Sequence, residues 1–289
     1  MKLIVHFVLT LCLTIQLHAQ DARITPIDWN QTKTNGIQVN YSMPAEMVDG
    51  ALRKKWSDAG LGSGDKGKDG FRIYKGSVVP EIAKEKMDYY VKVDAVQGQS
   101  VLSVLISKGY DNFLKPDIDS ETYKQAKTYF NAFVKDATAF MVNHDITNQQ
   151  NSLLQLEKDK KNLLKNEKNL NKKKEKLESE LAETKIEMAA LKSDMENQQK
   201  ALELVRTKTA TIDQVDALKK EVSKQESVTK KASKKYEQSL EDVADAQKDV
   251  AENAHEIEEN KMAMERLEQQ MKGVQDKIKD LQNQLSYLK

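Results

Sequence analysis

The chain is poor in the residues on which thiol chemistry and phosphate recognition usually depend. Its only cysteine is Cys12, and only five of its 46 basic residues are arginines. Without a second cysteine the chain can form no internal disulfide and no cysteine-based metal site. Bidentate recognition of phosphate favours arginine over lysine, so this composition argues against a nucleic-acid partner. The 45 acidic residues nearly balance the basic ones, so no global field favours an anionic or a cationic partner.

Complete motifs for catalysis or cofactor binding are also lacking. Gly62–Gly67 has the glycine spacing of a dinucleotide loop, but the predicted order of strand and helix around it is reversed. Asp65–Gly70 begins like a calcium loop, but Gly76 stands where a bidentate acid is required. The predicted hairpin places His144 and His255 at different levels, which argues against a shared metal site. We therefore expect no enzyme, no cofactor and no metal site.

Long hydrophobic runs are absent except at the N-terminus. Leu3–Leu17 is mostly apolar, follows Lys2, and precedes a small residue at Ala19. This is the pattern of a secretory signal peptide, here residues 1–19, and a retained membrane anchor is the alternative. No later run approaches the ~20 residues that a membrane-spanning helix needs. We expect an exported protein without a transmembrane span, either secreted or in the periplasm of a Gram-negative bacterium.

Proline and glycine nearly disappear after residue 117. All four prolines and ten of the eleven glycines precede it, and Gly273 is the one later exception. Residues 20–142 predict a small α+β head with an antiparallel sheet and the order β-α-β-β-β-α. The predicted strands are 36–43, 70–79, 87–96 and 100–109, the first helix covers 44–60, and a long helix begins near residue 119. The apolar face of that helix, which includes Phe130 and Phe133, is expected to cover the sheet.

The remaining sequence has the seven-residue repeat of a coiled coil. Two sets of positions, called the seam here, recur every seven residues from Val215 to Leu285 and from Leu218 to Leu288, and most of them are apolar. The corresponding seam positions before residue 206 are Leu153, Lys160, Glu167, Lys174, Leu181, Met188, Met195 and Leu202, together with Leu156, Leu163, Leu170, Leu177, Thr184, Leu191, Gln198 and Val205. Such sustained heptads predict two coiled-coil helices, 143–206 (continuous with the head helix 119–142) and 214–289.

A weakly helical segment separates the two helices and predicts an antiparallel hairpin with its tip at 207–213. A turn there would pair residue i with about residue 417 − i. Lys158–Lys176, with nine lysines and three acids, would then lie beside residues 241–259, with eight acids and one lysine. Charges of opposite sign that flank a seam select partner and direction, so we expect the second helix to neutralise the lysine-rich run.

In that register, the last heptads of the second helix return to the head. Polar residues in the middle of the seam, among them Asn253 and Asn260, indicate either a locally open arm or control of the register. A monomeric hairpin is favoured, and a homo-oligomeric coiled coil is the alternative.

These features favour an exported, non-enzymatic structural or interaction protein with a globular head and a helical arm. The hairpin resembles those of adaptors in bacterial efflux and secretion machines, which implies docking to a channel, although those adaptors continue with lipoyl and barrel segments. A ligand-binding head is a further alternative. The candidate interaction residues are Thr207, Thr209, Thr211 and Asp213 at the tip and Tyr89, Tyr90 and Tyr110 in the head, since tyrosine is enriched at interfaces.

Overall fold

A computed structural model describes residues 21–208, 211 and 214–288 of the chain. The predicted signal peptide, Thr209 and Asp213 lie outside the described residues. The elements are β1 (Arg23–Trp29), β2 (Thr32–Tyr41), α1 (Ala45–Asp58), β3 (Asp65–Lys66), β4 (Arg72–Val79), β5 (Ala83–Val96), β6 (Gln99–Ser107), α2 (Ser120–Arg206) and α3 (Val215–Leu288). The predicted fold class, an α+β head followed by a helical hairpin, is confirmed.

The described strands form one antiparallel sheet in the order β1-β2-β6-β5-β4-β3. It contains two strands that the sequence did not predict, β1 and the two-residue β3. Pro26 lies within β1, and a proline inside a strand argues against a strand assignment from sequence. The sheet tolerates Pro26 because β1 is an edge strand that pairs only with β2. The predicted tight hairpin between β5 and β6 is present, with Gln97 and Gly98 at positive φ.

The main core of the head lies between one face of the sheet and two helices. It joins Ile37, Tyr41 and Leu102 of the sheet to Trp56 of α1 and Phe130 of α2. Buried tyrosine hydroxyls also connect the layers. The Tyr41 hydroxyl donates to the Phe130 carbonyl over 2.8 Å, and Trp56 Nε1 donates to the Tyr129 hydroxyl over 2.8 Å. The first turns of α2 therefore cover the sheet, as the apolar face of this helix predicted.

The chain divides into two compact units. The head unit contains the described residues up to Gln150 and those from Lys277 onward, and the coiled-coil unit contains Asn151–Asp276. In the coiled-coil unit the predicted seam of α2 is half-buried or buried at every position except Glu167 and Lys174. The seam of α3 is likewise half-buried or buried except at Val215. The assignment of heptad positions within each helix is thus confirmed.

The register between the two helices differs from the prediction by about one heptad. Asn253 Nδ2 donates to the Leu170 carbonyl and Asn260 Nδ2 to the Leu163 carbonyl, each over 3.3 Å. Each pair of residue numbers adds up to 423, whereas the position of the predicted turn gave about 417. The predicted register was wrong because the position of a turn does not determine which heptads meet, since every shift by one heptad keeps the same residues in the seam. Gln225 Nε2 donates to Gln198 Oε1 over 2.9 Å, which places the two glutamines in one layer.

The lysine-rich run consequently has other neighbours than expected. Residues 158–176 lie level with about residues 247–265, which contain six acids and two lysines. Within the described chain, two ion pairs connect this run to α3, Lys160–Glu268 at 2.7 Å and Lys173–Glu256 at 2.9 Å. The expectation that α3 neutralises the whole run is therefore wrong.

Candidate functional site

The three tyrosines proposed as interaction residues occupy different environments in the head unit. Tyr89 is fully buried in the main core, where burial raises the pKa of its hydroxyl to about 12. Tyr90 is buried on the opposite face of the sheet. Tyr110 is fully exposed, with a relative accessibility of 105%. Tyr110 is therefore the one of the three whose ring a partner can contact without displacing other side chains.

An aromatic cluster on the sheet face opposite α1 and α2 surrounds Tyr90. The Trp29 ring contacts Phe71, Tyr90 and Phe113 edge-on, with centroid distances of 5.4, 4.8 and 6.4 Å. Gly36 lies under this cluster, and a Cβ atom there would come within 2.6 Å of Ile27, Leu105 and the Val104 carbonyl. This cluster was not predicted from the sequence because Trp29 belongs to β1, which was not expected to be a strand. The alternation of Ile27 and Trp29 was the signal that could have revealed it.

The loop between β6 and α2 holds Tyr110 in an uncommon backbone conformation. Gly109, Tyr110 and Asp111 have consecutive φ values of 103°, 52° and 57°. A positive φ is uncommon for a residue with a bulky side chain and persists only where the surroundings enforce it. The Lys108 amide donates to the Asn112 carbonyl over 3.0 Å, which closes the loop.

Side chains also attach this loop to the sheet. The Tyr90 hydroxyl donates to Asp111 Oδ1 over 2.5 Å, and the Phe113 ring packs against Tyr90. Burial and this bond to the Asp111 carboxylate raise the pKa of Tyr90 above its ordinary value. Lys108 Nζ pairs with Asp119 Oδ1 at 2.7 Å. The loop is thus braced from both sides while the Tyr110 ring points away from the protein.

A groove of about 670 Å³ lies between α1 and α2 in the head unit. Its lining combines apolar and charged side chains: Ala51, Lys54, Lys55, Asp58, Asp136, Ala139, Phe140, Asn143, His144 and Thr147. Lys55 Nζ pairs with Asp136 Oδ2 at 2.7 Å and lies 5.4 Å from the centre of the Tyr129 ring. Lys55 and Asp136, two of the charged lining residues, therefore already pair with each other.

The other predicted features are less informative about function. Thr207 and Thr211 at the hairpin tip are exposed. Among residues 21–208, 211 and 214–288, no group of three or more histidine, cysteine or acidic side chains is placed to hold a metal ion. No helix among the described residues is both long and apolar enough to cross a membrane.

Part of the lysine-rich run forms a face that was not predicted from the sequence. The burial of the seam directs the heptad positions of α2 that lie farthest from it outward. Between residues 158 and 172 these outward positions hold five lysines and no acid. Their spacing of three and four residues was visible in the sequence. It was missed because the run was evaluated by its total charge rather than by helical position.

Comparison with protein-family models, with curated proteins and with solved structures finds no match to this chain.

Proposed function

We propose that this is an exported, non-enzymatic interaction protein of the cell envelope. In this proposal the Tyr110 loop of the head contacts a protein partner, and the coiled-coil hairpin acts as a spacer or as a second docking element. The observation that carries the proposal is the fully exposed Tyr110 ring, held at positive φ by a braced loop. Binding energy at protein interfaces concentrates in a few aromatic and arginine side chains, and a pre-ordered loop lowers the entropic cost of binding.

The coiled-coil unit supports the spacer part of this proposal. Its seam is filled by the two helices of one chain, with hydrogen bonds between Gln225 and Gln198 and between Asn166 Nδ2 and Asn260 Oδ1. The segment 151–206 of α2 would span about 84 Å at 1.5 Å per residue. A hairpin closed in this way needs no second chain to bury its apolar positions.

Export to the periplasm or the medium is supported by the signal-peptide pattern of residues 1–19. Fractionation of producing cells and N-terminal sequencing of the exported chain test this part. A chain that begins at Gln20 is the expected result. A cytoplasmic chain that retains Met1 would contradict it.

Photo-crosslinking tests the role of the head. A photoreactive phenylalanine analogue at Tyr110 is expected to form an adduct with one protein in producing cells, and the Tyr110→Ala variant is expected to bind that protein at least tenfold more weakly. Val96, which is half-exposed at 48%, provides a matched control position. Equal labelling from both positions, or none from Tyr110, would contradict the proposed contact.

The groove between α1 and α2 favours a second candidate function, a head that binds a small ligand. Phe140 supplies an apolar wall, and the Lys55–Asp136 pair supplies both charges. A ligand of this groove should raise the Tm of the protein, and Lys55→Ala should abolish that rise. No change in Tm across a library of small acids and amines would argue against this function.

A further inference from the structure

The outward side of α2 in the coiled-coil unit carries positive charge and no negative charge between residues 154 and 172. This surface, named here the lysine face, consists of Leu154, Gln155, Lys158, Lys161, Asn162, Lys165, Lys168, Asn169 and Lys172, all of them exposed. The acids of the same stretch, Glu157, Asp159 and Glu167, lie at flanking or seam positions. We infer that the lysine face binds an anionic lipid surface.

The five lysines of this face have no ionic partner within the described chain, and in this they differ from the rest of the run. Lys160 and Lys173 pair with α3, and Lys174 and Lys176 pair with glutamates one turn further along α2. No carboxylate of the residues that the structure describes lies within 4.0 Å of the other five lysines. Their charge is therefore available to an external partner.

The arrangement of these lysines is unfavourable for the helix alone. They follow one another at steps of three and four residues, the spacing at which like charges on a helix repel. A helix is stabilised when an acid lies three or four residues from each lysine. Lys176 has such a partner in Glu180, at 3.2 Å. Intramolecular pairing thus does not explain the face, whereas an anionic partner would relieve the repulsion.

The arrangement of the five lysines fits a flat anionic surface better than a small anionic ligand. From Lys158 to Lys172 the row extends about 21 Å along one uninterrupted helix, with a lysine about every 5 Å. The second helix supports α2 through the seam, so the row cannot wrap around a small anion. All five ammonium groups can approach a flat surface together, and clusters of four to eight basic residues on a helix are typical of binding to anionic lipids.

Two further observations favour lipid over nucleic acid. The chain has no arginine between Arg72 and Arg206, so the face offers point charges without the planar groups that recognise single phosphates. Leu154 at one end of the face and Leu164 beside it are exposed by 56% and 49%. Apolar side chains next to a basic row can enter the interfacial region of a bilayer. The inference concerns the coiled-coil unit and does not depend on the proposed partner of the head.

Vesicle binding tests the inference. The full chain from Gln20 is mixed with vesicles of phosphatidylglycerol and phosphatidylcholine, or of phosphatidylcholine alone, and the bound fraction is measured by sedimentation. We expect binding to the anionic vesicles only, and weaker binding as salt rises. A triple variant should bind the anionic vesicles about a hundredfold more weakly, because each lysine contributes about fivefold. Its substitutions are Lys161→Gln, Lys165→Gln and Lys168→Gln.

A matched control removes the same charge elsewhere on α2. Lys185, Lys192 and Lys200 are exposed and more widely spaced, and their combined change to Gln should reduce binding by less than about fivefold. Circular dichroism should show all variants to be equally helical. Equal binding to both kinds of vesicle, equal loss in the two triple variants, or binding to soluble polyglutamate or DNA without binding to vesicles would each overturn the inference.

Discussion

The register of the hairpin leads to a prediction about two glutamines. Gln225 Nε2 donates to Gln198 Oε1 over 2.9 Å, and the Thr229 hydroxyl donates to the Gln198 carbonyl over 3.2 Å. A shift by one heptad toward the register that the charges favour would move Gln225 level with Leu191 and Gln198 level with Leu218. Both glutamines would then face leucines, and their hydrogen bond would be lost.

The size of this preference follows from the cost of an unpaired polar group. Leaving a buried polar group without a partner costs about 1–3 kcal/mol, and the half-buried position of both glutamines places them near the lower limit. Two of them would disfavour the shifted register by about 2 kcal/mol, or about thirtyfold. Opposing this, each exposed ion pair gained by the shift contributes only ~0.2–1 kcal/mol. Replacing both glutamines by leucine should therefore reduce the preference for the observed register about thirtyfold.

Cysteine crosslinking measures the register directly. The sole cysteine, Cys12, lies in the predicted signal peptide, so introduced cysteines would be unique in the exported chain. Cysteines at Lys173 and Glu256, an ion pair of 2.9 Å, report the observed register. Cysteines at Lys173 and Asp249, one heptad away, report the shifted one. A short bis-maleimide reagent should link the first pair in dilute protein and leave the second unlinked.

The Gln198→Leu, Gln225→Leu double variant should make the second pair reactive. A single Gln225→Leu variant is the control for the loss of one side chain, since it leaves Gln198 without its partner. If the double variant still crosslinks only through the first pair, the glutamine layer does not set the register. If the parent protein already crosslinks through the second pair, the reasoning about the seam is refuted.

Three further predictions concern the head. Tyr129→Phe should lower the free energy of unfolding, measured by urea denaturation, by about 1–3 kcal/mol, because the buried Trp56 Nε1 loses its acceptor. A loss under about 0.5 kcal/mol would contradict this. Gly36→Val should cost at least about 2 kcal/mol, since a Cβ would lie 2.6 Å from three atoms, and an unchanged Tm would show that the close approach is relieved. The hydrogen bond from Lys108 lowers the pKa of Asp119 in the folded protein. The pair therefore stabilises the fold above the pKa that this carboxyl group has in the unfolded chain. That stability is lost as the pH falls through the folded pKa. Asp119→Asn should therefore lower Tm at neutral pH but not near pH 2, and an equal loss at both pH values would exclude the ionic contribution.

The positions at which α2 begins and ends and at which α3 begins were predictable because they depend on local signals. Helix 119–206 was expected from the absence of proline and glycine, and α2 runs from Ser120 to Arg206. The weakly helical segment after Arg206 predicted the break between α2, which ends at Arg206, and α3, which begins at Val215. The sheet was predicted less completely, because Pro26 in β1 argues against a strand when only the sequence is considered. In the folded protein β1 forms nevertheless, as an edge strand that pairs with β2.

The candidate interaction residues show the same division. Tyrosine enrichment identified Tyr89, Tyr90 and Tyr110, but a strand places alternate residues on opposite faces, and only the packing of both faces buries Tyr89 and Tyr90 together. The exposure of Tyr110 depends on the braced loop, in which Asp111 accepts a hydrogen bond from Tyr90 of β5. Contacts of this kind between distant residues have no signature in local sequence.

The sequence by itself determined the heptad positions within each helix, because the period of a helix fixes which residues share a face. Only the tertiary structure decided which heptad of α2 meets which heptad of α3. Every one-heptad shift keeps the seam residues in the seam, so the choice depends on which side chains meet in each layer. Gln198 and Gln225 meet in one layer, the acids of α3 lie one heptad away from the expected place, and the lysines at 158, 161, 165, 168 and 172 remain unpaired within the described chain.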